Sequence, residues 1–326
     1  MAYTTIDDPS AYFNTVLYTG NGSTQTISGV GFQPNLTWIK HRDGATAHMI
    51  FDSVRGALYR LQSNSSNGET SAANTLTAWN SDGFALGTEN DTNGNTRLFA
   101  SWNWIESATA GFDIVAYTGN ATNRTISHSC GSAVKMIITK SRAGNNWFVY
   151  HESISNTDMI KLNQTNAKET KAAIWNSTSP TSSVFSLGTD NDANENGINF
   201  IAYCFAEKQG YSKFGSYIGN GATDGTFVWT GQKSAFIMIK AASRAGTWNM
   251  YDVKRNTFNN IDDFITANTS DAETTGNTYQ NIDILSNGFK CRGTGTGTNE
   301  SGSTYIYMAF AENPFVTSTG VPATAR

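Results

Sequence analysis

One unit of sequence returns three times along this chain, and that repetition limits the fold more than any composition does. Tyr18-Thr19-Gly20-Asn21-Gly22 recurs as Tyr117-Thr118-Gly119-Asn120-Ala121 and as Tyr217-Ile218-Gly219-Asn220-Gly221. Trp38-Ile39-Lys40, Ile138-Thr139-Lys140 and Met238-Ile239-Lys240 put a lysine at the same point of each copy, with Arg42, Arg142 and Arg244 behind it. An aromatic stretch follows, beginning at Met49, Trp147 and Trp248, and then a polar loop with Glu69, Glu169 or Glu273. Each copy closes on an aromatic run: Phe99 to Trp104, Phe200 to Glu207 and Tyr305 to Glu312. The period of about 100 residues is that of a small domain, too long for a solenoid repeat of roughly 20–50 residues. The expected organisation is an N-terminal arm (1–14), repeats at 15–110, 111–210 and 211–315, and a polar C-terminal tail (316–326).

Each copy reads as all-β. Leu36, Trp38 and Lys40 alternate with Thr37 and Ile39, and the closing runs are apolar on both faces, as in the central strand of a two-layer sandwich. Turn pairs such as Asn21-Gly22, Asp82-Gly83 and Asn287-Gly288 punctuate the strands. The expected fold class is therefore all-β, three tandem β-sandwich repeats of jelly-roll or concanavalin A-like type. The one stretch expected to form a turn or two of helix is Ile261 to Ala267. Charged residues are 15%, against roughly 25% in an average domain, and the net charge of −4 offers nothing to nucleic acid. No apolar run approaches the roughly 18 residues of a membrane span, and the N-terminus lacks the basic-then-apolar pattern of a secretory signal. The odd cysteine count, Cys130, Cys204 and Cys291, argues against a disulfide framework.

Candidate chemistry is sparse. His48, Asp52 and Ser53 have the residue types of a hydrolytic triad but no Gly-x-Ser-x-Gly elbow, and His48 and Asp52 are expected to face solvent. Glu89 and Asp91 in copy one, and Asp190, Asp192 and Glu195 in copy two, are paired carboxylates of the kind glycosidases use. Their alternation with Asn and Gly also suits calcium, so Glu89, Asp91, Asp190 and Asp192 are the candidate metal ligands, although neither loop has an EF-hand's closing glutamate. Lys40, Lys140 and Lys240 end strands and are expected to pair with Glu69, Glu169 and Glu273 or to face water. Flat rings stack on sugar faces while Asn and Asp bind hydroxyls. Trp79, Trp147, Trp175, Trp229 and Trp248 are therefore sugar-contact candidates, and Trp79, Trp147, Trp175 and Trp248 form the set expected to touch ligand.

Several stretches carry a resemblance. They are Leu17 to Gly22, Gly31 to Lys40, Phe51 to Gly56, Lys213 to Tyr217, Ile284 to Lys290 and the closing Tyr305 to Phe315. With these the chain resembles bacteriophage virion proteins of tail-fibre type that carry tandem concanavalin A-like lectin/glucanase β-sandwich repeats. Copy two departs most, with Cys130-Gly131-Ser132-Ala133-Val134 in place of Gly-Phe-x-Pro. The resemblance implies a virion structural protein, tail-associated, a fibre or adhesin whose outer loops contact a host-surface glycan, with other virion subunits as partners and no catalytic residues. A capsid decoration or head-fibre protein is the alternative, and a polysaccharide-degrading enzyme the second. Tail fibres suggest a homotrimer, while three copies in one chain offer a pseudo-threefold monomer. The arm, with Pro9, Tyr12 and Phe13, is expected to dock on a neighbour.

Overall fold

Strands rich in β-branched and aromatic residues, cut at short intervals by Gly, Asn and Asp, dictate a sheet protein. The computed structural model, which describes residues 2–325, is nearly all β with antiparallel sheets. The first unit runs β1 (Phe13–Thr19), β2 (Gln25–Ile27), β3 (Leu36–His41), β4 (Met49–Asp52), β5 (Tyr59–Arg60), β6 (Thr70–Ser71), β7 (Leu76–Asn80), β8 (Gly83–Leu86), the one-turn helix α1 (Asn90–Asn93) and β9 (Leu98–Trp104). The second runs β10 (Phe112–Thr118), β11 (Arg124–Ser127), β12 (Val134–Ser141), β13 (Trp147–His151), β14 (Asp158–Lys161), β15 (Glu169–Thr170), β16 (Val184–Leu187), α2 (Asn191–Asn194) and β17 (Asn199–Ala206). The third runs β18 (Ser212–Ile218), β19 (Phe227–Trp229), β20 (Gln232–Ala241), β21 (Trp248–Asp252), β22 (Ile265–Thr266), β23 (Ile282–Leu285), β24 (Gly288–Cys291) and β25 (Thr304–Pro314).

The main sheets share one order: β1-β9-β3-β4, then β10-β17-β12-β13, then β18-β25-β20-β21, with β14-β15 and β22 added at the ends of the last two. A smaller outer sheet covers each: β2-β8-β7, β11-β16 and β19-β24-β23. Side chains alternate across a strand. Ile39, Ile137 and Ile237 therefore turn outward into the layer beneath their own outer sheet. Trp38, Ile138 and Met238 turn inward, and there the three units share a single core. At its centre Trp104, Phe205 and Phe310, the matching residues of the three closing strands, meet with ring centres 5.7–6.4 Å apart. A pseudo-threefold axis passes between them. The copies are not beads on a string, because the central strands of each main sheet are buried on both faces and one face belongs to all three.

The arm differs from expectation. It docks on its own chain: the Tyr3 hydroxyl donates to the Gly231 carbonyl (2.7 Å), the Thr4 hydroxyl to Gln209 (2.8 Å), and Ile6 enters the shared core. Asp7 accepts from the Ser318 amide (2.6 Å), which ties the arm to the tail. Met1 and Arg326, the outer ends of arm and tail, lie outside the described residues. Ile261 to Ala267 is not helical: Ile261 bridges Ile282, Phe264 bridges Thr274, and Ile265 opens β22. The β-branched and aromatic side chains there are buried, and pairing with neighbouring segments overrides any local helical tendency.

Where Ile114 and Phe214 fill the inner face of units two and three, unit one has Thr15. The residue is 4% exposed and its hydroxyl is buried with no partner among the described residues, beside a cleft of about 220 Å3 lined by Phe13, Ala235, Val253 and Lys254. Replacing it with Val keeps the shape and removes a buried unsatisfied group. Thr15→Val should therefore stabilise the protein by about 1 kcal/mol, measured as a higher urea midpoint; an unchanged or lower midpoint would show that water satisfies the hydroxyl.

Candidate functional site

The repeated charged columns lie in the seams between units. Lys40, Lys140 and Lys240 are fully buried, contrary to the expectation of glutamate pairing or solvent. Their ammonium groups donate to main-chain carbonyls: Lys40 to His41 (2.6 Å) and Gly44 (3.2 Å), Lys140 to Ser66 (3.0 Å) and Asn145, Lys240 to Ala241 (2.9 Å) and Thr165 (3.1 Å). Ser66 and Thr165 belong to the preceding unit, so Lys140 and Lys240 fasten neighbours together. Burial lowers their pKa, to about 8 for Lys40 and about 7 for Lys140 and Lys240.

The glutamates instead take the arginines. Arg142 reaches back to Glu69 (2.7 Å), and Arg42 reaches Glu273 of the third unit (2.8 Å). The third seam breaks the pattern: Arg244 holds Glu300 of its own unit (2.7 Å), and Glu169 pairs with Lys161 (2.8 Å). Ring N–H groups complete the seams. Trp147 donates to Gln62 (2.8 Å), Trp248 to Lys161 (2.9 Å), and His48, at the same repeat position, to Thr266 (3.0 Å).

The triad residues do not form a triad. The other His48 nitrogen, Nδ1, accepts from the Trp38 indole (2.8 Å), so Nε2 carries the proton given to Thr266. Asp52 is buried with Arg55 (2.5 Å) and the Tyr203 hydroxyl (2.7 Å), and Ser53 accepts from Asn35 (3.0 Å). His48 and Asp52 therefore do not face solvent.

The carboxylate loops fold as α1 and α2. Asp190 caps α2 through the Asp192 amide (2.9 Å), and Lys171 contacts both Asp190 (2.9 Å) and Asp192, filling with its own charge the place a calcium would need. Glu89 stands at the start of α1 with no capping bond and Asp91 follows in the first turn. Among the described residues, no cluster of three or more His, Cys, Asp or Glu side chains is placed to hold a metal.

The asparagines beside these acids, which in the first two loops the sequence offers as calcium oxygens, instead tie the chain together, a role no local pattern announces. Asn93, Asn194 and Asn299 each accept from an amide of the Gly-Asn turn that carries the chain from main sheet to outer sheet, at Asn21, Asn120 and Asn220 (3.0 Å each). Each also donates to one carbonyl of that turn and to one that follows or closes the outer-sheet strand before it, Asn194 for example to Thr122 (2.8 Å) and Gly188 (2.7 Å). The glycine of that turn is obligatory because a Cβ at Gly119 would stand 2.1 Å from the Glu195 carbonyl oxygen. Recurrence at the same repeat position was the available signal.

Trp147, Trp175 and Trp248 are buried, and Trp175 gives its N–H to Asp158 (3.1 Å). Trp79 packs half-buried on the first unit's outer layer. The three buried rings thus have no face for a sugar. The open rings lie elsewhere. On β19 Phe227 is 45% exposed and Trp229 49%, where β2 and β11 and their ends put Thr26 and Ser28, and Thr125 and Ser127. Beside Trp229 runs a polar groove of about 220 Å3, walled by Tyr3 of the arm, Glu207, Gln209 and Lys213. Phe258 and Tyr279 project from loops of the same unit.

Residues 8–314 match the family model described as a domain of unknown function, DUF7483. The chain belongs to the DUF7483 family. No curated protein matches it. The DUF7483 span runs from Asp8 to Pro314, so it takes in all three main sheets and all of the core they share except Ile6 of the arm.

Proposed function

We propose that this chain is a structural subunit of a bacteriophage virion, tail-associated, that contacts the host surface through glycans. The observation that carries this reading is a contrast. The repeated charges and rings of the seams are engaged in holding three units together, while at the positions where the other two units carry Thr and Ser the third turns Phe227 and Trp229 outward, Trp229 beside a polar groove. Exposed aromatic rings next to polar groups mark a recognition surface rather than a packing need. A shared core suits the mechanical role, because no unit can swing away without exposing it. The purified protein should bind members of a bacterial glycan array and adsorb to host cells; binding to neither overturns the attachment role.

A pseudo-threefold body also favours a second reading, decoration of the capsid at a threefold position, since one chain supplies the symmetry such a site presents. Immunogold labelling of intact virions separates the two: gold at the tail supports attachment, and gold over the head supports decoration.

A further inference from the structure

We infer that the groove between the arm and the third unit's outer sheet is a binding site for a neutral sugar residue, with Trp229 as its stacking platform and the Glu207–Lys213 pair as its hydroxyl clamp. This rests on the attachment reading and names the place where it acts.

The platform is placed for a ligand and not for the fold. Val228 points inward and is buried, so Trp229 must point outward from β19. The matching residues of the other units are Ser28 and Ser127, which shows that the architecture closes without a ring there. Phe315 meets Trp229 edge to face, with centres 5.4 Å apart and planes at 73°, and so fixes the indole's orientation. Among the described residues the indole N–H has no hydrogen-bond acceptor. An oriented, half-open ring with a free donor can stack on the C–H face of a sugar and bond a ring hydroxyl.

The clamp supplies the rest. Lys213 Nζ and Glu207 Oε1 are 2.7 Å apart and both side chains are about a third exposed. The second carboxylate oxygen and the remaining ammonium hydrogens present an acceptor beside donors, the pattern two adjacent hydroxyls satisfy. The pair's charges cancel, which selects a neutral sugar over an acidic one. The far wall is rigid. Tyr3 is held by its bond to the Gly231 carbonyl, and Gly231, at φ +71°, admits the phenol where a Cβ would lie 2.6 Å from its oxygen.

The equivalent junction between units one and two makes a strong internal comparison. There Glu106 stands for Glu207, Asp113 for Lys213 and Ser127 for Trp229. Two carboxylates and a serine offer neither platform nor clamp, and Asp113 is engaged with the Ser129 amide (2.5 Å). The combination of acid, base and open indole occurs at the second junction and not at the first.

The test is an array carrying neutral and acidic bacterial glycans, probed with the intact protein and with Trp229→Ala, Trp229→Tyr, Lys213→Ala and Ser127→Ala. The proposal expects the intact protein to bind neutral glycans, Trp229→Ala to lose at least tenfold in affinity, and Lys213→Ala several-fold. Trp229→Tyr should keep part of the binding, and Ser127→Ala all of it. Unchanged urea midpoints establish that the variants are folded. Glycan binding that survives Trp229→Ala at full strength, or that is confined to acidic glycans, overturns the groove assignment and leaves the attachment reading standing. No binding anywhere on the array overturns both.

Discussion

Asp252→Ala is expected to destabilise the protein by about 3–5 kcal/mol, the usual effect of removing one partner from a buried ion pair. Asp252 is fully buried in the seam between units three and one. It accepts from Arg255 Nε (2.5 Å) and from the Trp102 indole of unit one (3.0 Å), and it turns the chain through the Lys254 and Arg255 amides. Without it a guanidinium with no exposed surface keeps only Glu273 (2.8 Å) and the Met250 carbonyl (2.8 Å), and an indole N–H is stranded. Glu273 is already shared with Arg42 of unit one, so it cannot move to compensate. Asp252→Asn, which keeps an acceptor but not the charge, should fall between. The same chemistry recurs at the seam of units one and two, where Asp52 holds Arg55 and Tyr203 and Glu69 takes both Arg55 and Arg142. Asp52→Ala should therefore behave alike. At the third seam the pair is replaced by His151 and Ile154, with Met308 in the place of Trp102 and Tyr203. A loss of 3 kcal/mol is a large part of the roughly 5–15 kcal/mol that separates folded from unfolded domains. Urea midpoints read the effect, and midpoints within error of the wild type for both aspartate variants would show that the seams do not depend on these pairs.

The repeated motifs were legible in the sequence as motifs, but what they do was not. Tyr18, Tyr117 and Tyr217 recur because each hydroxyl donates to a carbonyl in the loop before the closing strand, at Thr92, Ala193 and Thr298 (2.6–2.8 Å). That is a contact across more than 70 residues, and no local pattern encodes it. Apolar positions on both faces of the closing strands correctly announced a strand between two layers. They could not say that the second layer is the other two units, because Trp104 reads the same whether it packs on its own outer sheet or on Phe205 and Phe310. Lys140 and Lys240 differ from expectation for a related reason. A lysine at a strand end is ordinarily exposed, and only the neighbouring unit brings the Ser66 and Thr165 carbonyls to their ammonium groups, while Lys40 is met by the His41 and Gly44 carbonyls of the turn that follows it. Tryptophans are large enough to be core or platform, and composition does not choose between them. The choice follows from strand parity: Trp147 and Trp248 face the axis, whereas Trp229 sits one residue beyond an inward Val228.

Acid should loosen this protein well above the pH at which carboxylates titrate. His48 and His151 are fully buried and neutral, and burial pushes them down to about 3 and about 4; at His48 the nearby Lys40 charge adds to the effect. In both, one ring nitrogen faces a main-chain carbonyl, Thr266 (3.0 Å) or Tyr307 (3.1 Å), and the other accepts a hydrogen bond, from the Trp38 indole or the Ser153 amide. A second proton would break that acceptor. In the unfolded chain the same histidines bind a proton near pH 6.5. Below that pH the unfolded state therefore holds more protons than the folded one, and stability falls as pH falls, until the folded pKa values near 3 and 4 are reached. Each histidine contributes a slope that climbs from half to nearly all of about 1.4 kcal/mol per pH unit across this window, so the two together remove about 3 kcal/mol between pH 6.5 and pH 5. Glu106 works against them, because burial, with Asp113 beside it, raises it to about 7 and it takes up a proton in the same window. The informative quantity is therefore a difference. His151→Gln should flatten the dependence of the urea midpoint on pH by about one proton's worth between pH 6 and pH 4.5, and adding His48→Gln should flatten it by about two. Loss of absolute stability in these variants does not affect the comparison, since only the slope is read. An unchanged slope in both would mean that the two rings are protonated in the folded protein, and the hydrogen-bond assignment that makes them neutral would fall with it.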